Sequence, residues 1–315
     1  MSMGCAYAIV AWGPDAAGLP GIVEAAFDEV DRIDRLMSHY KPDSPLSRLN
    51  REAAAGPVAV PAELFDFIAE SLRYSRDSGG AFDVTVGPLM KAWGFFRGDG
   101  RVPTAEEIAL LRQRVGYEHV ILDARQRTIR YDRSGVELDL GGIAKGYAVD
   151  RVVALLRRAG VAAALVSAGG STVFGLGAPP GKPAWDVDVQ DPAAPDRVAL
   201  TVHLKDRALS VAGTAEKSFV KDGVTYSHIM DPRAARPVQG ILSVAVLAAS
   251  GTAGDALDDA FFVQGVEASP PYLRRLPGTE AMFFVPRSDG RWSLVRRHGP
   301  ALHGAHLSPG KSTTP

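Results

Sequence analysis

The second half of the chain places strand-like runs one after another, with no helical segment between them. These runs occupy residues 163–175, 184–192, 198–213, 224–230 and 241–250. Parallel strands need long crossover connections, usually helices, whereas antiparallel strands can follow each other through short turns. The pattern therefore predicts an α+β fold with an antiparallel sheet and flanking helices, rather than a doubly wound parallel sheet.

Helical patterns surround this strand-rich region. Thr104 and Glu107 form a capping-box pattern that predicts a helix start. The segment 39–50 is rich in Pro, Asp and Ser and is expected to be a loop. From apolar spacing and helix-ending glycines, further helices are predicted over 21–38, 61–78, 143–160 and 253–265, and a hairpin over 281–297.

The length and composition fit one large domain. The chain has 315 residues, of which 46% are hydrophobic, which fits one large domain or two smaller ones. Because no clear linker is visible, a single domain over residues 1–297 is expected. The polar tail at 298–315 contains Pro and Gly and is expected to be disordered. With 35 basic and 36 acidic residues well mixed, the charge excludes a nucleic-acid groove.

The cysteine content and the hydropathy restrict the class of protein further. Cys5 is the only cysteine, which excludes an internal disulfide and a cysteine-built metal site. No stretch approaches the about 18 apolar residues that a membrane span needs. The N-terminus has no basic segment before an apolar run and no lipobox. A cytoplasmic protein is expected, with a previously removed leader as the open alternative.

The stretch "DLGGIAKG", residues 139–146, joins an apolar run to a predicted helix. Its glycines permit close backbone approach to a ligand, and the helix start with Lys145 favours an anion. The spacing matches neither G-x-G-x-x-G nor a Walker A loop, so this stretch by itself favours a plain strand-to-helix turn with a solvated lysine. Asp139 ends an apolar run, where a carboxylate is unusual unless it is paired or functional.

The stretch "GDALDDAFF" places Asp255 and Asp259 one helical turn apart on the same face. Like charges at this spacing repel each other, and a hard divalent cation between them would remove the repulsion. The alternative is that these acids, together with Asp258, complement the dipole at a helix start. The two interpretations are equally supported by this segment.

Two further segments are candidates for chemistry. His228 in "SHIMDP" falls in a predicted strand before a turn and is either a general base or a hydrogen-bonded structural histidine. In "SGGAFDVTVGPL", residues 78–89, the glycines either permit ligand approach or only end a helix before a strand. His39 and the other histidines have no motif around them and are assigned no role. No G-x-S-x-G elbow supports a serine hydrolase.

Six segments in order between Met3 and about Val263 carry a family resemblance. They are "MGC", "MSHYKPDSPLSRLN", "GGAFDVTVGPL" followed by "WGF", "DLGGIAKGYAVD", "HIMDP" and "DALDDA". In this order and spacing they resemble the ApbE family of FAD:protein FMN transferases, and the glycine–lysine segment is the most specific of them.

This resemblance implies a fold, a reaction and site residues. The fold is α+β with an antiparallel sheet, and the enzymes use FAD with Mg²⁺, or alternatively Mn²⁺. They break the pyrophosphate and move FMN phosphate onto a Thr or Ser hydroxyl of an acceptor flavoprotein, releasing AMP. His228 matches the family's proposed base, Asp255 and Asp259 its metal side chains, and Gly142 its main-chain metal ligand. The positions that match family contacts to FAD are Met3, Ser38, Tyr40, Ala81, Phe82, Asp83, Asp139, Lys145 and Ile229.

The sequence departs from the family pattern in three places. Asp259 replaces the usual threonine at a metal position, which adds negative charge. Val211-Ala212 replaces Thr-Ser, and Ala234-Ala235 replaces Thr-Gly. The implied function is flavin transfer to a protein. An FAD pyrophosphatase, a non-catalytic flavin-binding protein and an unrelated α+β domain are the alternatives.

Overall fold

The computed structural model describes residues 3–13, 15–96 and 100–301. Within the predicted tail at 298–315, residues 302–315 lie outside this part of the chain. Their disorder, and the domain limit at residue 297, therefore stay predictions. None of the described helices is long and apolar enough to cross a membrane.

Helices dominate the first half of the described chain, and consecutive strands dominate the second. The helices are α1 (Leu19–Met37), α2 (Pro45–Glu52), α3 (Ala62–Asp77), α4 (Gly87–Ala92), α5 (Ala105–Arg112), α6 (Ala144–Arg158), α7 (Gly251–Ala268) and α8 (Pro270–Leu273). The strands are β1 (Tyr7–Trp12), β2 (Val58–Ala59), β3 (Val120–Asp123), β4 (Thr128–Tyr131), β5 (Ala163–Ala168), β6 (Thr172–Leu176), β7 (Trp185–Asp191), β8 (Ala194–Leu204), β9 (Arg207–Gly213), β10 (Ser218–Lys221), β11 (Val224–Ser227), β12 (Met230–Asp231), β13 (Arg236–Pro237), β14 (Ser243–Ala248), β15 (Glu280–Pro286) and β16 (Trp292–His298).

The main sheet has seven strands in the order β1-β5-β6-β9-β14-β15-β16. Each neighbouring pair in this sheet is antiparallel. Tight turns make the order possible: Gly169 and Gly170, with φ of 61° and 77°, connect β5 to β6. Glycine adopts this left-handed backbone conformation without steric penalty. The predicted α+β fold with an antiparallel sheet is confirmed.

Both faces of the sheet are covered, which explains the continuous apolar run of β14. Val244 and Val246 pack in the core that includes α7, whereas Ala245 and Leu247 pack on the other face in a cluster with Trp185 of β7. Alternate residues of a strand point to opposite faces, so a strand buried on both faces needs apolar residues throughout. Helices α1 and α6 cover the β1–β5–β6 end of the sheet, on the face opposite Trp185.

The expected loop at residues 39–50 is wrong for its second half, which forms α2. Ser44 is the N-cap: its side-chain oxygen accepts a hydrogen bond from the Ser47 N–H at 3.0 Å. Pro45 follows at the start of the helix, where its missing N–H leaves no hydrogen bond unmade. The Ser-Pro pair that indicated a loop is therefore a helix-start signal.

The expected strand after Gly79 and Gly80 is also wrong. Both glycines have positive φ, and the chain continues as a loop into α4, with one isolated bridge between Val86 and Glu137. Asp83 stabilises this loop, because its Oδ1 accepts a hydrogen bond of 2.9 Å from the Thr85 N–H. A side chain that binds its own backbone in this way competes with strand pairing.

Candidate active site

The first turns of α6 and α7 touch, which brings two sequence-predicted segments together. A side chain at Gly146 of α6 would collide with the Gly251 carbonyl of α7. The Gly146 N–H donates a hydrogen bond of 2.6 Å to Oδ2 of Asp255. The glycine–lysine turn and the acidic helix therefore form one site, although more than 100 residues separate them along the chain.

Asp255 is buried at the centre of this site, with 3% of its surface exposed. Its Oδ1 accepts hydrogen bonds from Ser210 of β9, at 2.8 Å, and from Thr172 of β6. Burial raises the pKa of Asp255, whereas the charge of Lys145 and these hydrogen bonds oppose the rise. The side chains of Thr172 and Ser210 had no motif in the sequence, but they lie side by side because β6 pairs with β9.

Asp259 lies next to Gly142, the proposed main-chain ligand. A Cβ at Gly142 would be 2.5 Å from Oδ2 of Asp259, so only glycine leaves room for this carboxylate. Burial, followed by the charge of Asp255, raises the pKa of Asp259. Burial and the charge of Asp259 raise the pKa of Asp258 well above its usual value. The helix therefore concentrates negative charge that needs protons or a cation to balance it.

The residues present fit a hard divalent cation. Two carboxylates, from Asp255 and Asp259, and the carbonyl of Gly142 are oxygen donors of the type that Mg²⁺ prefers. The cradle at Gly142 that a Cβ would fill supports this arrangement. Across the described residues, no group of three or more His, Cys, Asp and Glu side chains is arranged to hold a metal. The candidate site therefore depends on two side chains and a main-chain oxygen.

Lys145 supplies positive charge beside these acids. Its Nζ donates a hydrogen bond of 2.5 Å to Ser171 in the β5–β6 turn. Burial by itself lowers the pKa of Lys145, but Asp255 and other nearby acids more than compensate, and the pKa is raised. The ammonium group therefore stays charged and points to the end of the sheet where Asp255 lies.

Within the segment Ala81–Asp83, Phe82 and Asp83 make different contacts. Phe82 reaches the cation cradle, since its Cε2 lies 3.6 Å from the position of a Cβ on Gly142. The Asp83 carboxylate is used inside the loop and also accepts from the Tyr117 N–H at 2.8 Å. Burial raises the pKa of Asp83 to about 6 against these hydrogen bonds. Asp83 therefore shapes the loop, whereas Phe82 lies beside Gly142.

Asp139 lies beside a histidine that the sequence analysis left without a role. Nδ1 of His39 is 3.2 Å from Oδ1 of Asp139, and both side chains are buried. Tyr40 is half exposed and stacks on Phe96, with ring centroids 4.7 Å apart. Burial, and to a lesser extent the charge of Asp139, raises the pKa of Tyr40 to about 12. Ser38 instead ends α1, and its carbonyl accepts a 2.6 Å hydrogen bond from the Ser44 hydroxyl.

Met3 and Ile229 are placed by short local contacts. Sδ of Met3 accepts a hydrogen bond of 3.2 Å from the Tyr7 hydroxyl. Burial and the charges of Cys5 and Asp255 raise the pKa of Tyr7. Ile229 is buried, and its carbonyl accepts from the Val238 N–H at 2.9 Å.

His228 lies between β11 and β12, so its predicted place in a strand is wrong. Its backbone N–H donates to the Lys217 carbonyl at 3.0 Å, and its Nδ1 lies 3.2 Å from the same oxygen. A carbonyl only accepts, so Nδ1 carries the proton and Nε2 is left as a proton acceptor. Burial lowers the pKa of His228 to about 4 against this hydrogen bond, and Lys145 and Lys217 lower it further.

Two of the departures from the family pattern lie in strand β9 and at Ala235, just before β13. Val211 and Ala212 lie in β9, paired with Ala245 and Val244 of β14. Ala235 is fully buried with φ of 55°, a left-handed conformation that a glycine would adopt without strain. Its carbonyl accepts a hydrogen bond of 3.1 Å from the Trp93 indole. Val211 and Ala212 therefore change a strand, and Ala234 and Ala235 change the turn between β12 and β13.

Comparisons with known proteins agree with the fold described above. The family model described as the ApbE family matches residues 3–283. The FAD:protein FMN transferase of Treponema pallidum is 32% identical over 286 residues, which are 86% of this chain and 79% of that protein. The crystal structure of the ApbE protein from Thermotoga maritima is 30% identical with a TM-score of 0.85. The flavin transferase ApbE from Vibrio cholerae is 30% identical with a TM-score of 0.84, and for both structures the match covers 94% of each chain. The chain belongs to the ApbE family.

Proposed function

We propose that this protein is an FAD:protein FMN transferase. It transfers FMN from FAD to a Thr or Ser hydroxyl of an acceptor flavoprotein and releases AMP. The observation that carries the proposal is the convergence of Gly142, Asp255 and Asp259 in one cradle next to Lys145. Curated relatives with this name support the choice of reaction.

The site has the parts that phosphoryl transfer needs. Catalysis of such reactions depends mainly on positioning and on neutralising charge. Asp255, Asp259 and the Gly142 carbonyl would hold Mg²⁺, which supplies charge neutralisation at the pyrophosphate when it is bound. Lys145 stands at the start of α6, where the helix dipole also favours phosphate. The proposed contacts to the rest of FAD are Ala81, Phe82, Tyr40, Asp139, Met3 and Ile229.

His228 is the proposed general base. Its Nε2 takes the proton of the acceptor hydroxyl while the hydroxyl oxygen forms a bond to the FMN phosphorus. The bond between that phosphorus and the bridging oxygen breaks, and AMP leaves with the bridging oxygen. The Lys217 carbonyl fixes the tautomer that makes Nε2 available.

A single assay tests this proposal. The protein is incubated with FAD, MgCl₂ and an acceptor flavoprotein domain that carries a Thr or Ser flavinylation site. The acceptor is weighed by mass spectrometry, and AMP is measured with and without acceptor. We expect AMP and flavinylated acceptor in equal amounts and almost no AMP without acceptor. AMP release at the same rate without acceptor would assign the protein as an FAD pyrophosphatase, and FAD binding without AMP would assign it as a binding protein.

A further inference from the structure

His39 contains a buried hydrogen-bonding group with no partner. Its side chain is 9% exposed, and its Nε2 makes no hydrogen bond within the described part of the chain. Leaving a buried polar atom unpaired costs about 1–3 kcal/mol. An apolar side chain of similar size would fill the space without this cost. The histidine is therefore better explained by its other ring nitrogen, Nδ1.

That nitrogen faces Asp139, one of the proposed FAD contacts. Nδ1 lies 3.2 Å from Oδ1, and the same oxygen accepts the Gly141 N–H at 2.8 Å. Both contacts end on Oδ1 and neither uses Oδ2. The Asp139 backbone is fixed as well, because its N–H donates to the Val84 carbonyl at 2.7 Å. The carboxylate is thus held from one side, with the second oxygen available to a ligand.

The imidazole ring is itself held in place by aromatic packing. Its centroid lies 4.0 Å from the Tyr40 ring and 5.2 Å from the Phe96 ring. The Ser47 hydroxyl donates to the His39 carbonyl at 3.3 Å and fixes the backbone. Tyr40 and Phe96 also stack on each other, so the imidazole is part of one aromatic cluster. A ring held by such packing can set the orientation of the carboxylate beside it.

We propose that His39 is a positioning residue, which holds Asp139 through Nδ1 so that Oδ2 accepts a hydrogen bond from an N–H or O–H group of FAD. The inference rests on the proposed function, because it takes Asp139 as an FAD contact. His39 acts through Asp139 and does not contact the reacting phosphorus. Its removal should therefore weaken FAD binding more than it slows the transfer step.

The test compares two substitutions at the same position. His39→Leu removes both ring nitrogens, whereas His39→Asn keeps an N–H donor at the place of Nδ1. Hydrogen bonds to charged groups contribute enough to change affinity by about 10- to 100-fold. We expect His39→Leu to raise the FAD dissociation constant by at least about tenfold, and His39→Asn to restore most of the affinity. Should His39→Leu fail to fold, His39→Phe keeps the ring stacking and replaces it.

A double-mutant cycle with Asp139→Asn separates positioning from packing. If His39 acts through the carboxylate, His39→Leu should cost little further FAD affinity in the Asp139→Asn protein. An equal loss in both backgrounds would overturn the inference, as would unchanged affinity of His39→Leu. FAD affinity is measured by quenching of flavin fluorescence, and the melting temperature of each variant is recorded.

His119 offers a matched control away from the site. Its Nδ1 lies 3.1 Å from Oδ1 of Asp132, so His119→Leu breaks a similar pair next to the open end of the β3–β4 hairpin. We expect its FAD affinity to equal that of the wild type, and an equal loss at both positions would overturn the inference. A wild-type protein that does not bind FAD would overturn the proposed function itself. A wild type that binds FAD with the same affinity as His39→Leu would overturn only the role of His39.

Discussion

Asp150 of α6 and Asp255 of α7 accept hydrogen bonds from the first turn of each other's helix. Asp150 receives the Gly251 N–H at 2.7 Å and the Thr252 N–H at 2.8 Å, and Asp255 receives the Gly146 N–H at 2.6 Å. The first backbone N–H groups of a helix have no partner within it, so each carboxylate satisfies the other helix. This exchange fixes the position of Asp255 in the candidate site.

Removing the hydrogen bonds that Asp150 accepts from α7 should weaken the candidate cation site without changing any of its proposed ligands. Asp150→Ala should lower the free energy of unfolding by about 2 kcal/mol, the upper range for loss of a helix cap. It should also weaken Mg²⁺ binding, because Asp255 moves with the helix start. Ser250→Ala is the control: it removes another α7 cap, the bond from the Ala253 N–H at 3.1 Å, but leaves Asp150 in place. Equal Mg²⁺ affinities in the two variants would contradict the prediction.

The cradle at Gly142 makes a second prediction. Gly142→Ala places a methyl group 2.5 Å from Oδ2 of Asp259, so the carboxylate has to move. We expect Mg²⁺ affinity, measured by calorimetry, to fall by at least about tenfold, since ligands must be held close to their productive geometry. Gly56→Ala is the control, because a Cβ there meets no atom within 4 Å. Retained Mg²⁺ affinity in Gly142→Ala would remove this carbonyl and carboxylate pair from the site.

The sequence predicted the elements that local patterns determine. The Thr104–Glu107 capping box is present with both hydrogen bonds, and α6 and β14 lie where apolar spacing placed them. The contact between His39 and Asp139 was missed because the two residues are distant in sequence and are brought near only by the fold. The α2 helix was missed because Ser44-Pro45 fits both a turn and a helix start.

His228 should matter for turnover and little for FAD affinity. A general base typically contributes a factor of about 10²–10⁴ to the rate. His228→Ala should lower single-turnover FMN transfer by about that factor. His203→Ala is the control, because His203 is exposed and pairs with Asp186 on the β7–β8 ribbon. A His228→Ala protein that is folded, binds FAD and transfers FMN at the wild-type rate would exclude His228 from the mechanism.

The low pKa of His228 predicts a pH dependence that differs from that of an ordinary histidine. The folded pKa of about 4 lies below the reference value of about 6.5, so the imidazole is neutral at neutral pH. On the acid side of the pH profile, kcat/KM should therefore decline only as the pH approaches about 4. Between about pH 6.5 and pH 4, His228 binds a proton in the unfolded chain but stays neutral in the folded protein. The contribution of His228 to the free energy of unfolding is therefore complete above about pH 6.5 and is lost as the pH falls from 6.5 to 4.

Denaturation measurements can isolate this contribution. The free energy of unfolding is measured for wild type and His228→Gln at pH 7.5 and pH 5. Other titrating groups are common to both proteins and cancel in the difference. The wild type should lose more stability than the variant on acidification, and an equal loss would contradict the assigned pKa.

Asp259 carries a negative charge at a position where the family pattern has a threonine. Replacing it should change the melting temperature and the Mg²⁺ response in different directions. Burial and the neighbouring Asp255 raise the pKa of Asp259, so its ionised form is disfavoured when no cation is present. Asp259→Thr removes this charge and should raise the melting temperature in EDTA. The increase in melting temperature on adding Mg²⁺ should shrink, because one carboxylate ligand is lost.

FMN transfer should persist at saturating Mg²⁺, since a threonine oxygen can occupy the same coordination position. In the same assays Asp255→Asn should abolish transfer, because Asp255 also connects α6, β6 and β9. If Asp259→Thr shows the wild-type response to Mg²⁺, Asp259 serves only the helix dipole of α7 and is not a metal ligand.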